Sequence, residues 1–251
     1  MVASRPAVQN QKLKTRARMI AKALAKEYPE ALCALKHEGP FQLLAATILS
    51  AQCTDERVNQ VTPGLFSKFP TPHAMAQATS HEIESLIRST GFFRAKAKNL
   101  LGMAQMIVDE FGGEIPRTID QLVRLPGVGR KTANVVLGTA FGLPMGVVVD
   151  THVKRLTSLM GLTRHKIPEK IEQDLMELLP STDWIDFSHR LIHHGRRICI
   201  ARRPRCRECP LLSLCSRAGL PKLAEERAEK SQTAHPSSRK QARPRSKTGR
   251  T

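Results

Sequence analysis

The chain has 251 residues and a formal net charge of +18, from 40 lysines and arginines against 22 aspartates and glutamates. A positive excess of this size favours a polyanionic partner, of which nucleic acid is the commonest. Aromatic residues make up only 4% of the chain, which argues against a surface that stacks the bases of single strands. Neither a membrane-spanning apolar run nor a secretory signal is present. We therefore expect no membrane association, and a location in the bacterial cytoplasm or nucleoid or, in a eukaryote, in the nucleus or mitochondrion.

Apolar residues recur at helical spacing along most of the chain, and turn residues separate the segments. The pattern predicts an all-α fold, in which one short β-branched run at 146–149 is an extended connector. Thr79 and Glu82 are expected to form a capping box, and Gly112 with Gly113 is expected to end a helix. The predicted helices lie at 12–28, 41–52, 56–69, 75–78, 79–89, 96–111, 151–159, 168–179 and 183–200.

The sequence LPGVGRKTANVV at 125–136 predicts a tight turn between two helices. Gly127 and Gly129 can take positive φ and carry no side chain, and a second helix is expected to begin near Arg130. Bare N–H groups at a helix start suit a phosphate. The segment is therefore interpreted as a helix–hairpin–helix that holds a nucleic-acid backbone without reading bases, with Lys131 just behind the turn.

Two other glycine motifs share part of this pattern, namely the dinucleotide fingerprint and the P-loop. Both need a preceding strand, whereas the preceding segment here is predicted to be helical, capped by Thr118 with Gln121 and stopped by Pro126. A third glycine is missing, and one residue separates the second glycine from the lysine. Those two motifs are set aside, and a plain helix–turn–helix corner stays the alternative for this stretch alone.

Four of the six cysteines lie within 17 residues, at Cys199, Cys206, Cys209 and Cys215. Disulfides are disfavoured without an export signal, so four close thiols suit a metal centre. A structural zinc site usually shows two Cys-x-x-Cys pairs, whereas gaps of six, two and five residues suit a [4Fe–4S] cluster better. We interpret the cluster as a staple that presents Arg202, Arg203 and Arg205 to phosphates, with redox use as the second reading.

Several further residues have a plain structural interpretation. Cys33 and Cys53 stand apart from the other cysteines and are expected to be small buried residues. His189 and His193 stand four apart on a predicted helix, but no third ligand lies beside them at helical spacing, so packing is favoured over metal binding. The segment from residue 218 is basic and poor in apolar residues, which predicts a disordered tail.

Four motifs together resemble those of endonuclease III, a bifunctional DNA glycosylase and abasic-site lyase of the helix–hairpin–helix superfamily. They are LSAQ-x-TD at 49–55, LPGVGRKTANVV at 125–136, VDTHV at 149–153 and the Cys-x6-Cys-x2-Cys-x5-Cys spacing. The likeness spans residues 13–217 and implies two helical domains with a DNA-binding cleft between them. The implied divisions are a flexible basic N-terminus (1–12), a helix that packs with the cluster domain (13–37), a helical barrel domain with the hairpin (38–149), the cluster domain (150–217) and the tail (218–251).

The resemblance also implies the chemistry. A monomer would act on oxidised or saturated pyrimidines, or on abasic sites, in double-stranded DNA. Lys131 would attack C1′ of the sugar and form a Schiff base that permits β-elimination of the 3′ phosphate. Burial by the second hairpin helix, in a dry and positively charged pocket, would favour the neutral amine that this attack requires. Asp150 would stabilise positive charge on the sugar and assist proton transfer; its other reading is helix capping, although Thr151 is the expected cap.

A damaged base inside the stack must be flipped out before it can react. By resemblance, Phe92 and Gln52 would fill the gap it leaves, against the plainer readings of a core phenylalanine and a helix C-cap. Phe92 stands where relatives often have leucine, and Phe93 where they often have tyrosine. The other residues expected to contact DNA are Gly127, Gly129, Arg130, His152, Arg202, Arg203 and Arg205.

Two other functions compete with this one. An adenine-specific mismatch glycosylase of the same superfamily would lack the catalytic lysine and carry an additional C-terminal recognition domain, whereas Lys131 is present and the segment after Arg217 is short and polar. The alternative from a different class is a non-enzymatic DNA-binding module stapled by zinc, which iron and sulfide analysis would identify.

Overall fold

The structure, a computed structural model, describes residues 7–221. Of the tail predicted to be disordered, 218–251, the residues from 222 onward lie outside the described residues, as do the first six residues of the basic N-terminus. Within 7–221 the chain forms eleven α-helices and four short 3-10 turns, with no strand, and the all-α prediction is confirmed. The helices are α1 (Ala7–Glu27), α2 (Pro40–Leu49), α3 (Asp55–Lys68), α4 (Pro72–Ala76), α5 (Ser80–Ile87), α6 (Phe93–Phe111), α7 (Ile119–Leu122), α8 (Arg130–Phe141), α9 (Thr151–Leu159), α10 (Pro168–Leu178) and α11 (Trp184–Arg197).

Helices α2 to α8 enclose the first of two hydrophobic clusters. Helix α2 lies at its centre and is buried on nearly every side, which explains why its sequence is apolar without a polar face. It packs against α3, α6 and α8. Burying one leucine of this helix, such as Leu43, contributes roughly 1.5–3 kcal/mol, so this cluster is a rigid base for the loops that leave it.

The second cluster lies between α1 and the helices α9 to α11. Tyr28, just after α1, contacts α11 through its hydroxyl, 3.0 Å from His194 Nδ1, and its carbonyl accepts a hydrogen bond from Arg190. Both clusters lie in one compact unit, Met1–Ala218. The exact domain boundaries therefore stay a prediction. No helix of the described chain is both long enough and apolar enough to cross a membrane.

Local sequence set several helix ends as expected. Thr79 and Glu82 form the reciprocal capping box, and Gly112 ends α6 in the left-handed conformation. Thr118 caps α7 through the Gln121 N–H, but the hydroxyl of Thr118 donates to the Gln121 side chain, so the box is not reciprocal.

Other ends differ from the prediction. Helix α1 begins at Ala7, so residues 7–12, predicted to be flexible, are helical; no glycine or proline interrupts the run that follows Ala7. Helix α7 has already ended at Leu122, so Pro126 does not stop it. Pro126 instead packs against α6, where a Cβ added at Gly102 would lie 3.2 Å from its ring.

Candidate active site and DNA interface

The hairpin turn, residues 123–129, joins α7 to α8 and is anchored by two buried side chains. Leu125 and Val128 lie in the first cluster, and the Val128 N–H donates to the Leu125 carbonyl. Gly127 has φ +78, and a Cβ there would lie 2.9 Å from the Asn99 side chain. Glycine is therefore required at 127 by both backbone conformation and space.

The second glycine of the turn does not take positive φ. Gly129 has φ −94, which any residue can adopt, and an added Cβ would meet nothing within 4 Å. It is the N-cap of α8 and supplies no side-chain cap, so the N–H groups of the first turn face outward without an intrahelical partner. The helix start therefore lies where the sequence predicts an anion-binding turn and has no side-chain cap; phosphate binding there stays a prediction.

Lys131 lies in the first turn of α8 and is exposed. The expected burial by the second hairpin helix is wrong, because α8 packs its opposite side, with Ala133, Val136 and Leu137, into the first cluster. The exposed side chain instead borders a cavity.

That cavity has a volume of about 130 Å³ and brings together both catalytic candidates, Lys131 and Asp150. Its walls come from α2, the start of α3, α8, α11, the connector before α9 and the loop after α1, so both hydrophobic clusters contribute to it. The remaining lining residues are Leu32, Cys33, Ala34, Leu35, Thr47, Ser50, Asp55, Val135, Val148, Ser188, His189, Ile192, His193 and Arg196. Asp55 and Arg196 form an ion pair at 2.6 Å at its border.

Asp150 is the N-cap of α9, and Thr151 is the first helical residue and not its cap. The Asp150 Oδ1 accepts a hydrogen bond from the Val153 N–H at 2.8 Å, and Oδ2 lies 3.2 Å from His152 Nδ1. The carboxylate is 16% exposed. The capping interpretation is confirmed, and the two contacts hold the carboxylate in one orientation.

His152 is partly enclosed by the protein. Besides Asp150, the backbone of α11 approaches it so closely that a Cβ added at Gly195 would lie 2.8 Å from its ring. Its contacts within the chain therefore position the imidazole beside Asp150.

His189 and His193 are cavity residues that the sequence did not single out for catalysis. Burial lowers the pKa of both imidazoles below the ordinary 6.5, so their neutral forms dominate near pH 7. His189 Nε2 lies 3.4 Å from the Thr139 hydroxyl. The spacing of four along α11 was visible in the sequence, but their approach to Lys131 and Asp150 depends on helix packing.

Gln52 and Phe92 lie in two loops, which we call the wedge loops after the role that the resemblance implies for these two side chains. One connects α2 to α3 (50–54), and the other connects the 3-10 turn Arg88–Thr90 to α6 (91–92). Both residues have positive φ, 51 for Gln52 and 46 for Phe92, a conformation that costs a non-glycine residue on the order of 1–2 kcal/mol.

The structure excludes the plainer structural interpretations of Gln52 and Phe92. The C-cap of α2 is Ser50 and not Gln52, which is exposed. Phe92 is 69% exposed, so it is not a core residue. Phe93, by contrast, begins α6 and packs against the first cluster.

Arg130 forms an ion pair with Glu172 of α10, with Nε 3.0 Å from Oε2. Glu172 is only 5% exposed and also accepts a hydrogen bond from Asn134. Arg130 is 47% exposed at its side chain, so it links α8 to α10 while part of the guanidinium faces solvent.

The cysteine segment, residues 198–217, has little regular structure beyond the 3-10 turns Cys206–Glu208 and Leu212–Leu214. Side chains from elsewhere hold it in place. Arg155 donates to the Cys199 carbonyl at 2.6 Å, and Arg16 of α1 donates to the Leu214 carbonyl at 3.0 Å. Arg202, Arg203 and Arg205 are exposed along this segment, and Arg205 lies 3.8 Å from Glu208.

The four cysteines are half-buried and form no disulfide. Burial raises the pKa of the Cys209 thiol to about 11, and it also raises the pKa of Cys199 and Cys215; the neighbouring thiols act in the same direction. Four thiolates so close together would repel one another without a cation. This donor set, with the Arg217 N–H 3.4 Å from Cys215 Sγ, fits a thiolate-bound iron–sulfur cluster. In residues 7–221, no group of three or more His, Cys, Asp and Glu side chains is close enough to bind one shared metal ion, whereas the four thiolates of a [4Fe–4S] cluster each bind a different iron.

Comparisons with known proteins agree on one family. A model of the HhH-GPD superfamily of base excision DNA repair proteins matches residues 45–181. The chain is 57% identical over 205 residues to an endonuclease III of Synechocystis sp., covering 82% of this chain and 94% of that protein. A structure of a trapped endonuclease III–DNA covalent intermediate is similar, with a TM-score of 0.77, 45% identity and coverage of 81% and 96%. A non-covalent endonuclease III–DNA complex gives a TM-score of 0.78, 44% identity and coverage of 86% and 98%.

Proposed function

Because the chain belongs to the endonuclease III family of the HhH-GPD superfamily and is a base excision repair DNA glycosylase and abasic-site lyase, we propose that Lys131 and Asp150 are its catalytic pair. The observation that carries this proposal is their meeting at one cavity from two segments of the chain. Its substrates are oxidised or saturated pyrimidines and abasic sites in duplex DNA, and it acts as a monomer.

Lys131 is the nucleophile. Once it has lost its proton, the amine forms a bond to C1′ of the damaged nucleotide, and the glycosidic bond breaks so that the base leaves with the electron pair and takes up a proton. The sugar ring then opens to a Schiff base between Nζ and C1′. Loss of a proton from C2′ expels the 3′ phosphate and cuts the strand. Exposure at the start of α8 supports this role, because the amine can reach the sugar of a bound duplex, and a relative has been trapped as a covalent DNA intermediate.

Asp150 carries the negative charge of the pair. Its capping bond to the Val153 N–H and its contact with His152 fix the carboxylate, so it needs no reorganisation when positive charge develops on the sugar. Capping and electrostatic stabilisation coexist in this residue, since one oxygen serves the helix and the carboxylate as a whole supplies the field.

The cavity receives the extruded base. Enzymes that flip bases read them through hydrogen bonds to the base edge, and the neutral imidazoles of His189 and His193, with the hydroxyl of Ser50, are among the polar groups that line the cavity. These contacts with a pyrimidine complement the proposed filling of the duplex gap by Gln52 and Phe92.

Duplex binding rests on the backbone of DNA. The open start of α8, with Gly127, Gly129 and Arg130, contacts phosphates near the damaged site, and His152 adds a contact beside Asp150. Arg202, Arg203 and Arg205 of the cysteine segment contact phosphates further along. These contacts carry no base information, so they support binding to damaged and undamaged duplexes alike.

Cys199, Cys206, Cys209 and Cys215 hold a [4Fe–4S] cluster. When bound, the cluster supplies iron–thiolate bonds that close a segment lacking its own hydrogen-bonded core. The buried thiols and the N–H groups directed at sulfur support this assignment. Iron and acid-labile sulfide in equal amounts, near four of each per chain, are expected in purified protein; zinc at one per chain without sulfide would overturn it.

Borohydride trapping tests the function directly. Duplexes that each contain one oxidised pyrimidine, one saturated pyrimidine, one abasic site or no lesion are incubated with enzyme and reductant. Covalent adducts are expected with the first three and not with the undamaged duplex. An adduct restricted to a purine lesion or an adenine mismatch would contradict the proposed substrate class.

A further inference from the structure

Lys96 of α6 is a buried lysine that the proposed chemistry does not use. Its residue is only 4% exposed, and it is the one buried lysine or arginine within residues 7–221. No carboxylate lies within ion-pair distance among the described residues. An ammonium enclosed in this way costs free energy unless its donors are satisfied. Its position therefore calls for an explanation.

Its partners are two carbonyls at the ends of the elements that precede the wedge loops. The Nζ donates to the Leu49 carbonyl at 2.7 Å and to the Thr90 carbonyl at 2.8 Å. Leu49 is the last residue of α2, and Thr90 is the last residue of the 3-10 turn before Gly91. The terminal carbonyls of a helix have no partner within it, and the lysine supplies that partner to both elements at once.

The backbone of Lys96 contributes a third link. Its N–H donates to the Phe92 carbonyl at 3.1 Å, in the first turn of α6. Lys96 therefore contacts the second wedge loop twice, at Thr90 just before it and at Phe92 within it. It also contacts Leu49, at the end of α2, from which the first wedge loop begins. Both loops contain a non-glycine residue at positive φ, Gln52 and Phe92, and such conformations persist only when the surroundings impose them.

We propose that Lys96 is a positioning residue that fixes the two wedge loops relative to each other, so that Gln52 and Phe92 enter the duplex together. The inference rests on the proposed role of those two side chains. An ammonium suits the task because it donates to both carbonyls in directions that an apolar side chain cannot replace. Lys96 therefore affects extrusion of the base and not the formation of the bond between Lys131 and the sugar.

The test compares Lys96→Met with Lys98→Met. Methionine keeps an unbranched apolar stem but removes the donors, and Lys98 is an exposed lysine of the same helix. Single-turnover base release is measured on one lesion in a fully paired duplex and in a bulge, where extrusion costs little. Lys96→Met should lose up to about 10²-fold on the paired duplex, as misplacement by 1 Å can cost, and almost nothing on the bulge. Lys98→Met should match the unaltered enzyme on both. Equal loss on the two substrates, or no loss, would overturn the proposal.

A double-mutant comparison separates this inference from the function on which it rests. In a Gln52→Ala/Phe92→Ala background, Lys96→Met should cause no further loss, because the loops it positions carry no wedge. A full additional loss in that background would mean that Lys96 serves only stability. If Gln52→Ala/Phe92→Ala itself releases the paired base at the unaltered rate, the wedge assignment fails and this inference fails with it. Borohydride trapping of these variants at a pre-formed abasic site measures the reaction of Lys131 separately, because no base has to be extruded.

Folding is checked on the same proteins. Amide hydrogen exchange should accelerate at 50–53 and 91–93 in Lys96→Met and stay unchanged in α8. If Lys96→Met does not fold, Lys96→Arg carries the test, since it keeps a cation but moves the donors onto a planar group. It should show a smaller loss of the same kind, confined to the paired duplex. Equal behaviour of Lys96→Arg on paired and bulged substrates would overturn the proposal.

Discussion

The hairpin turn and the cysteine segment are both proposed to contact phosphates, but different interactions hold them. The hairpin turn is short, is anchored by Leu125 and Val128 in the first cluster, and needs one special backbone conformation, at Gly127. The cysteine segment has two 3-10 turns and depends on side chains from distant parts of the chain, Arg16 and Arg155.

The two regions are therefore expected to be sensitive to different substitutions. A turn built on an apolar cluster should tolerate changes that leave its φ values and anchors intact. A segment that is held by a few polar contacts, and whose four cysteines form no disulfide, is expected to need the proposed cluster to stay folded. Variants in each region therefore separate loss of shape from loss of contact.

The largest effect is expected from Lys131→Gln, which leaves the hairpin shape intact because position 131 is exposed. Base release and the borohydride adduct should both disappear. Duplex binding should persist, since one cation among the 40 lysines and arginines of the chain contributes little to phosphate attraction. Lys154→Gln, on the exposed side of α9, is the matched control and should keep both activities. Retained trapping in Lys131→Gln would show that another amine is the nucleophile.

Asp150→Asn should slow base release by on the order of 10² or more, because asparagine removes the charge but keeps the capping ability. Strand cleavage at a pre-formed abasic site should suffer less, since no base has to leave. Thermal unfolding should change little. Equal loss on both substrates, together with a lower melting temperature, would reduce Asp150 to its capping role.

Cys206→Ala tests whether the cysteine segment depends on the proposed cluster. Losing a structural metal site is among the changes that destabilise proteins by on the order of 4 kcal/mol or more, so stability and duplex binding should fall together and iron content should drop. Cys53→Ala, outside the cysteine segment, should keep its iron. A stable, iron-free Cys206→Ala protein that binds DNA normally would show that the segment holds its shape without the cluster.

The two glycines of the hairpin turn separate loss of shape from loss of contact in that region. Gly127→Ala should lower stability by on the order of 1–2 kcal/mol, because alanine is strained at positive φ and its Cβ would also meet Asn99. Gly129→Ala has ordinary φ and free space, so its stability should be unchanged. Both should weaken binding to damaged and undamaged duplexes alike. If Gly129→Ala binds normally, no phosphate approaches that glycine.

The smallest effect concerns the capping box of α5, which belongs to neither region and serves as a reference for surface electrostatics. The Lys68 side chain and the Thr79 N–H donate to Glu82 and lower its pKa from 4.5 to about 2. Its stabilisation is therefore present above pH 4.5 and lost as the pH falls toward 2. The difference in melting temperature between the unaltered protein and Glu82→Gln should be small at pH 7 and shrink toward pH 3. A difference independent of pH would assign the effect to something other than the charge.

Sequence patterns predicted where several helices begin and end better than they predicted which residues surround them. The start of α8 at Arg130, the box at Thr79 and the glycine end of α6 all follow from chemistry within a few residues. The cap of α9 could not be chosen in this way, because Asp150 and Thr151 are both good capping residues and only the backbone conformation at 150 decides between them. Residues 7–12 were predicted to be flexible but are helical, because no glycine or proline separates them from the rest of α1.

Local spacing in the sequence predicted the all-α class, the hairpin and the thiol set, whereas Lys131 and Asp150 were identified through motifs that resemble those of endonuclease III. Tertiary structure alone decided that α8 turns its apolar side inward and leaves Lys131 exposed, that His189 and His193 join Asp150 at one cavity, and that Lys96 reaches Leu49 and Thr90. Those outcomes depend on how helices far apart in the chain pack, and side-chain packing is not encoded within any single stretch.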